Sequence, residues 1–116
     1  MAYAAWMSDP ASIRANHTAR IEAVINGVGT VDDLLDAGYQ LAMLRDPGDV
    51  WRHWEAKIAS YDTFHVYPAA YLAAAGLELT VAWVTATPHR FRSDVLEYLR
   101  AIGPDDLALT PPVTSP

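Results

Sequence analysis

The stretch Phe64–Arg90, FHVYPAAYLAAAGLELTVAWVTATPHR, constrains the fold more than any other part of the chain. It is an apolar run, broken by prolines, with a single acid, Glu78. Three readings compete: a membrane span, a core strand with its helix, and the wall of a binding site. The first fails on energy. Glu78 falls near the middle of the run and costs about 2.5 kcal/mol or more at a bilayer centre. Pro68, Gly76 and three threonines weaken a span further.

From Leu77 onward the pattern changes. Leu77, Leu79, Val81 and Trp83 alternate with Glu78, Thr80, Ala82 and Val84. Period two with β-branched enrichment predicts a half-buried strand. Phe64–Tyr67 predicts a short partner strand stopped by Pro68. Between them AAYLAAAG has strong helix propensity and a glycine stop, which predicts a short helix. On this reading Leu77, Leu79, Val81 and Trp83 are core, each contributing roughly 1.5–3 kcal/mol by burial. Two strands alone make a marginal sheet. A third strand or another chain completes it, or the region is helical throughout.

The flanks read as helices. Ser8 or Asp9 caps the first, with Pro10 in its first turn and Asn26-Gly27 at its end. Thr30 opens the second, whose stripe includes Leu34, Leu35 and Leu41. Asp49 caps a third, with Val50, Trp54 and Ile58 on one face. Ser93 caps the last, which Gly103-Pro104 stops. The predicted class is α+β: a single compact, mainly helical domain over residues 1–109 with a short two- or three-stranded sheet. Residues 1–8 form an N-terminal extension and 110–116 an extended Pro-rich tail. An all-α bundle is the alternative. A chain of 116 residues, 52% hydrophobic and 19% charged, has the composition of one globular core and not of a disordered segment.

The absence of cysteine removes disulfides, thiolate metal sites and cysteine nucleophiles. There is no glycine-rich phosphate loop, nucleophile elbow or metalloprotease motif. His53 and Glu55, with His65 or His89, are the best two-histidine, one-carboxylate metal set. Residues two apart on a helix point to nearly opposite faces, however, so the sequence predicts no metal and no cofactor. His65, beside Asp62 and Tyr67, is a weak candidate general base. A ligand pocket would be lined by Trp54, His65, Tyr67, Tyr71 and Trp83. Arg90, Phe91 and Arg92, in PHRFR, concentrate positive charge around an aromatic. With Trp51 they form the candidate partner-binding set, since arginine and aromatic anchors favour interfaces.

A net charge of -6 repels a phosphate backbone, which predicts no nucleic-acid partner. Glu78 argues against a membrane partner, leaving the chain itself or another protein. The start MAYAAWMSDP lacks a positive n-region and a long apolar h-region. It predicts a protein not secreted by a signal peptide, cytoplasmic or virion-associated. The first functional expectation is a non-catalytic structural or interaction subunit of a homo-oligomeric or larger assembly, a small phage virion or tail-assembly component being the type. The second is a small enzyme or ligand-binding domain with an aromatic pocket around His65. The third is a partner-inhibiting protein of the immunity or anti-defence type, whose acidic surface suits a basic target.

Overall fold

A computed structural model describes residues 9–112, and no strand occurs among them. The described residues fold as seven helices with two 3₁₀ turns. α1 (Pro10–Ile25) starts where the Asp9 carboxylate accepts hydrogen bonds from the Ala11 and Ser12 N–H groups. It buries Ile13, His17 and Ile21, spaced four apart on one face. α2 (Val31–Ala42) starts at Thr30, whose Oγ1 accepts from the Asp33 N–H, and it packs along α1. A 3₁₀ turn (Pro47–Asp49) leads into α3 (Val50–Lys57). α4 (Tyr61–Val66) and α5 (Ala69–Leu72) are short and meet at a corner made by Tyr67 and Pro68. α6 (Leu77–Ala86) and α7 (Arg92–Arg100) pack together, and a second 3₁₀ turn (Pro104–Leu107) closes the regular structure. The shared core joins Leu34, Val50, Trp54, Tyr71, Val84, Val95 and Leu99 from five of the helices.

The α+β reading is therefore corrected, and the all-α alternative fits. Phe64–Tyr67, expected as a strand, is the end of α4 and its C-cap. Leu77–Val84, expected as its partner, is helical and lies in α6. The threonines explain the second error. Thr80, Thr85 and Thr87 each turn the hydroxyl back onto the carbonyl four residues earlier, at 2.7–2.8 Å. The hydroxyl is then satisfied within the helix and the methyl is free to pack. Thr80 and Val84 are fully buried, with Leu77 and Val81 half-buried beside them, which is helical spacing. Leu79 and Trp83, expected in the core, are 54% and 41% exposed. Gly76 begins α6 at φ 110°, a conformation that glycine alone adopts without strain.

Two caps also differ from expectation. Asp49 makes no capping bond and turns its carboxylate to Arg14. α7 begins at Arg92, one residue ahead of Ser93, and the His89 ring accepts from the Phe91 N–H in place of a serine cap. The N-terminal extension 1–8 and tail residues 113–116 lie outside the described residues, and 110–112 carry no regular structure. No helix among the described residues is long and apolar enough to cross a membrane.

Candidate functional site

Pro68 disfavours the helical conformation at the residue before it. Tyr67 is accordingly extended, at φ -69° and ψ 118°, which ends α4 and turns the phenol inward. Lys57 fixes the corner. Its ammonium donates to the carbonyls of Phe64 at 2.7 Å and Tyr67 at 2.9 Å, and lies 5.1 and 5.0 Å from the ring centres of Phe64 and Tyr98. Lys57 is only 4% exposed, and burial lowers its pKa from the ordinary value.

The Tyr67 hydroxyl then stands between two imidazoles. It is 2.6 Å from Nδ1 of His53 on α3 and 3.0 Å from Nε2 of His17 on α1. All three residues are buried. A phenol has one proton, so it donates to one ring and accepts from the other. The shorter contact suits O–H···N to His53 and the longer one N–H···O from His17. His17 Nδ1 has no partner. In this arrangement it is a bare lone pair; in the reverse one it would be an orphaned buried N–H as well. The same tautomers thus satisfy both observations. α2 contributes space: a Cβ on Gly38 would lie 2.5 Å from the Tyr67 oxygen.

Charge surrounds the cluster on one side. Arg14 grips the buried carboxylate of Asp49 through two bonds, at 2.8 and 3.1 Å, and reaches Asp46 at 3.0 Å. Arg52 stands 3.5 Å from Asp49. Burial, with the field of Arg52, pushes the His17 pKa down to about 4. Burial, His17 and Arg52 hold that of His53 well below the usual range. Burial raises Tyr67 well above the ordinary phenol value, with Tyr71 adding to it. The cluster is therefore neutral at pH 7. Neither His17 nor His53 lines any of the four main concavities among the described residues.

The residues singled out from sequence are placed as follows. His65 is exposed on α4, edge-on to Tyr61 at 4.5 Å, and Asp62 is exposed in the first turn. Tyr67 points the other way, into the interior, so the three do not converge. Of the pocket set, Tyr67 and Tyr71 touch edge to face at 5.2 Å, Trp54 packs on Tyr98, and Trp83 stands outside on α6. His53 and Glu55 are separated: the first is buried with Tyr67, the second ion-pairs with Arg90 at 3.6 Å. Among the described residues no group of three or more His, Cys, Asp or Glu is placed to hold a metal.

Part of the partner-binding set does gather. Trp51 stacks flat on His89, with centroids 3.9 Å apart and planes at 4°. His89 meets Phe91 at 5.6 Å, and the Arg90 guanidinium lies 4.6 Å over the Phe91 ring. Arg92 opens α7 and is exposed. Phe91 and Arg90 border a groove of about 520 Å³ between α1 and α3, which Ile21, Ile25 and Ile58 line and Glu22 and Glu55 flank. No protein-family model, curated protein or solved structure matches the chain.

The sequence reading missed His17 as a partner of His53 and Tyr67. They lie 50 and 14 residues from Tyr67, so no local spacing announces them. Gly38, a glycine inside a helical pattern, was the available signal of a close approach.

Proposed function

We propose that the chain is a non-catalytic interaction subunit that holds a basic, apolar segment of another protein in the groove between α1 and α3. One observation supports it above others. Ile25 and Ile58, 61% and 42% exposed, converge with Phe91 on one concavity. Large apolar side chains left in solvent and rimmed by polar groups are the usual mark of an interaction surface.

The rim selects the partner's charge. Glu22 and Glu55 flank the groove, and the chain carries -6 in all. Lysine or arginine beside the partner's apolar residues would match that field. The Arg90–Glu55 pair is long and exposed, and exposed pairs are weak, so an incoming cation competes with it readily. An amphipathic helix with anchors at i, i+4 and i+7 has the right form for such a groove. The most perturbed titratable groups are sealed from solvent, which favours binding over catalysis. Subunits of larger assemblies, virions included, and inhibitors of basic targets share this docking chemistry.

The test is a titration of the isotopically labelled chain with a synthetic helical peptide bearing leucines at those spacings and flanking lysines. Saturable chemical-shift changes centred on Ile21, Ile25, Ile58 and Phe91 are expected, weakened by salt and by Ile25→Glu. No saturable change, or equal binding of a peptide with glutamates in place of the lysines, overturns the reading.

A further inference from the structure

Lys57 is the only lysine in the chain and is 4% exposed, yet among the described residues it forms no ion pair. A buried charge is normally paired. The carbonyls of Phe64 and Tyr67 are neutral, and they take two of its three N–H donors. Those two bonds and the flanking rings of Phe64 and Tyr98 hold the ammonium in one place. Lys57 borders a cavity of about 330 Å³ at the corner between α4 and α5. Asp106, from the second 3₁₀ turn, borders the same cavity. It accepts from the Gly103 N–H at 3.3 Å, and among the described residues it forms no ion pair either. Two opposite charges thus face one space without meeting. Val66, Pro68 and Ile102 give that space an aliphatic wall.

We propose that this cavity binds a small aliphatic zwitterion of the amino-acid class, its carboxylate on Lys57 and its ammonium on Asp106. A ligand with both charges satisfies both walls. A simple anion would pair with Lys57 and be repelled by Asp106, and a phosphate, with its larger charge, more so. A simple cation would meet the reverse conflict. The size suits such a molecule, since the cavity stands at the small end of the range for ligand sites. The fixed ammonium favours binding, because little side-chain freedom is left to lose. Asp106 is exposed, so its share of the affinity is the smaller one. Of the aromatic pocket expected from the sequence, His65 and Tyr67 border this cavity and Trp54, Tyr71 and Trp83 do not. The cavity shares no lining residue with the groove between α1 and α3, so the two sites stand independently.

A single lysine makes the test direct, because a lysine-labelled sample of the full chain gives one side-chain nitrogen resonance, that of Lys57. The chain is titrated with leucine and valine, with isocaproate, which lacks the amine, and with isoamylamine, which lacks the carboxylate. Leucine or valine should shift the Lys57 signal saturably and raise the pH at which it titrates, since a carboxylate favours the charged amine. Isocaproate should bind about fivefold more weakly, and isoamylamine should bind at least about tenfold more weakly. Asp106→Asn keeps an oxygen for the Gly103 N–H and removes the charge. It should weaken the amino acid about fivefold and spare isocaproate. Ile25→Glu, in the groove, should change neither. No saturable shift with leucine or valine overturns the proposal. So does isocaproate binding as tightly as leucine, or an affinity for leucine that Asp106→Asn leaves unchanged.

Discussion

At the centre of the molecule His17, His53 and Tyr67 bury two imidazoles and a phenol where α1, α3 and the α4–α5 corner meet, whereas α6 keeps Leu79 and Trp83 in solvent. Polar groups inside and apolar groups outside invert the common arrangement. The inversion has different consequences in the two places. A buried polar group costs free energy unless each hydrogen bond is made, so the cluster is intolerant of a missing atom or an added proton. An exposed apolar group contributes little to folding, so the outer face of α6, Leu79 and Trp83, is free to change without unfolding the chain. Stability should respond strongly to the first region and little to the outer face of α6.

The largest response is expected from protons. In the folded chain His17 titrates at about 4 and His53 lower than usual, against about 6.5 when unfolded. The facing charges are Arg14 on α1, Arg52 on α3 and Asp49 before it, while Tyr71 on α5 stays neutral. Below pH 6.5 the unfolded chain binds protons that the folded chain refuses. Stability is therefore fully present above that pH and falls as pH drops toward 4, at up to about 1.4 kcal/mol per unit for each imidazole. Denaturant midpoints measured from neutral pH to about pH 4.5 check this. His53→Phe should flatten the curve, and a wild-type profile no steeper than that of the variant breaks the account.

Next in size is the hydroxyl shared by the two rings. Tyr67→Phe leaves a buried acceptor on His53 and a buried donor on His17 unpaired, a loss of about 2–3 kcal/mol. Gly38→Ala should cost about 1–3 kcal/mol, because its methyl meets the Tyr67 ring and oxygen. The double variant sharpens the assignment. Removing the oxygen relieves the shortest contact while ring carbons remain at 2.8 and 2.9 Å, so the double variant should lose somewhat less than the sum of the two single losses. Additive losses would mean that Gly38 and the hydroxyl do not compete for the same space.

Part of the local chemistry was legible in the sequence, the Asp49 and Ser93 caps excepted, and distant pairing was not. The Asp9 and Thr30 caps are short-range events with short-range signatures, and both appear as hydrogen bonds in the structure. The helix spacing argument separates His53 from Glu55 for the same local reason. α6 misled because Leu77, Leu79, Val81 and Trp83 fit period two, while the helical set needs Thr80 counted as buried. Nothing in the letters says that a threonine hydroxyl will return to its own helix. The His17–Tyr67–His53 cluster depends on distant segments meeting, and beyond Gly38, which marks a close approach without naming its partner, a single sequence carries no signal of that meeting. Where an element's polar atoms are satisfied internally, hydropathy patterns lose their meaning.

The smallest expected effect tests the comparison most directly. Leu79→Ala on the outer face of α6 should shift stability by no more than about 0.5 kcal/mol. Val84→Ala, five residues further along the same helix but fully buried, should cost about 2 kcal/mol through lost burial and the cavity it leaves. A strand with Leu77, Leu79, Val81 and Trp83 inward predicts the reverse order, since Val84 would then face outward with Glu78. Thermal or denaturant unfolding of the two variants therefore separates the helix from the strand by the sign of one difference.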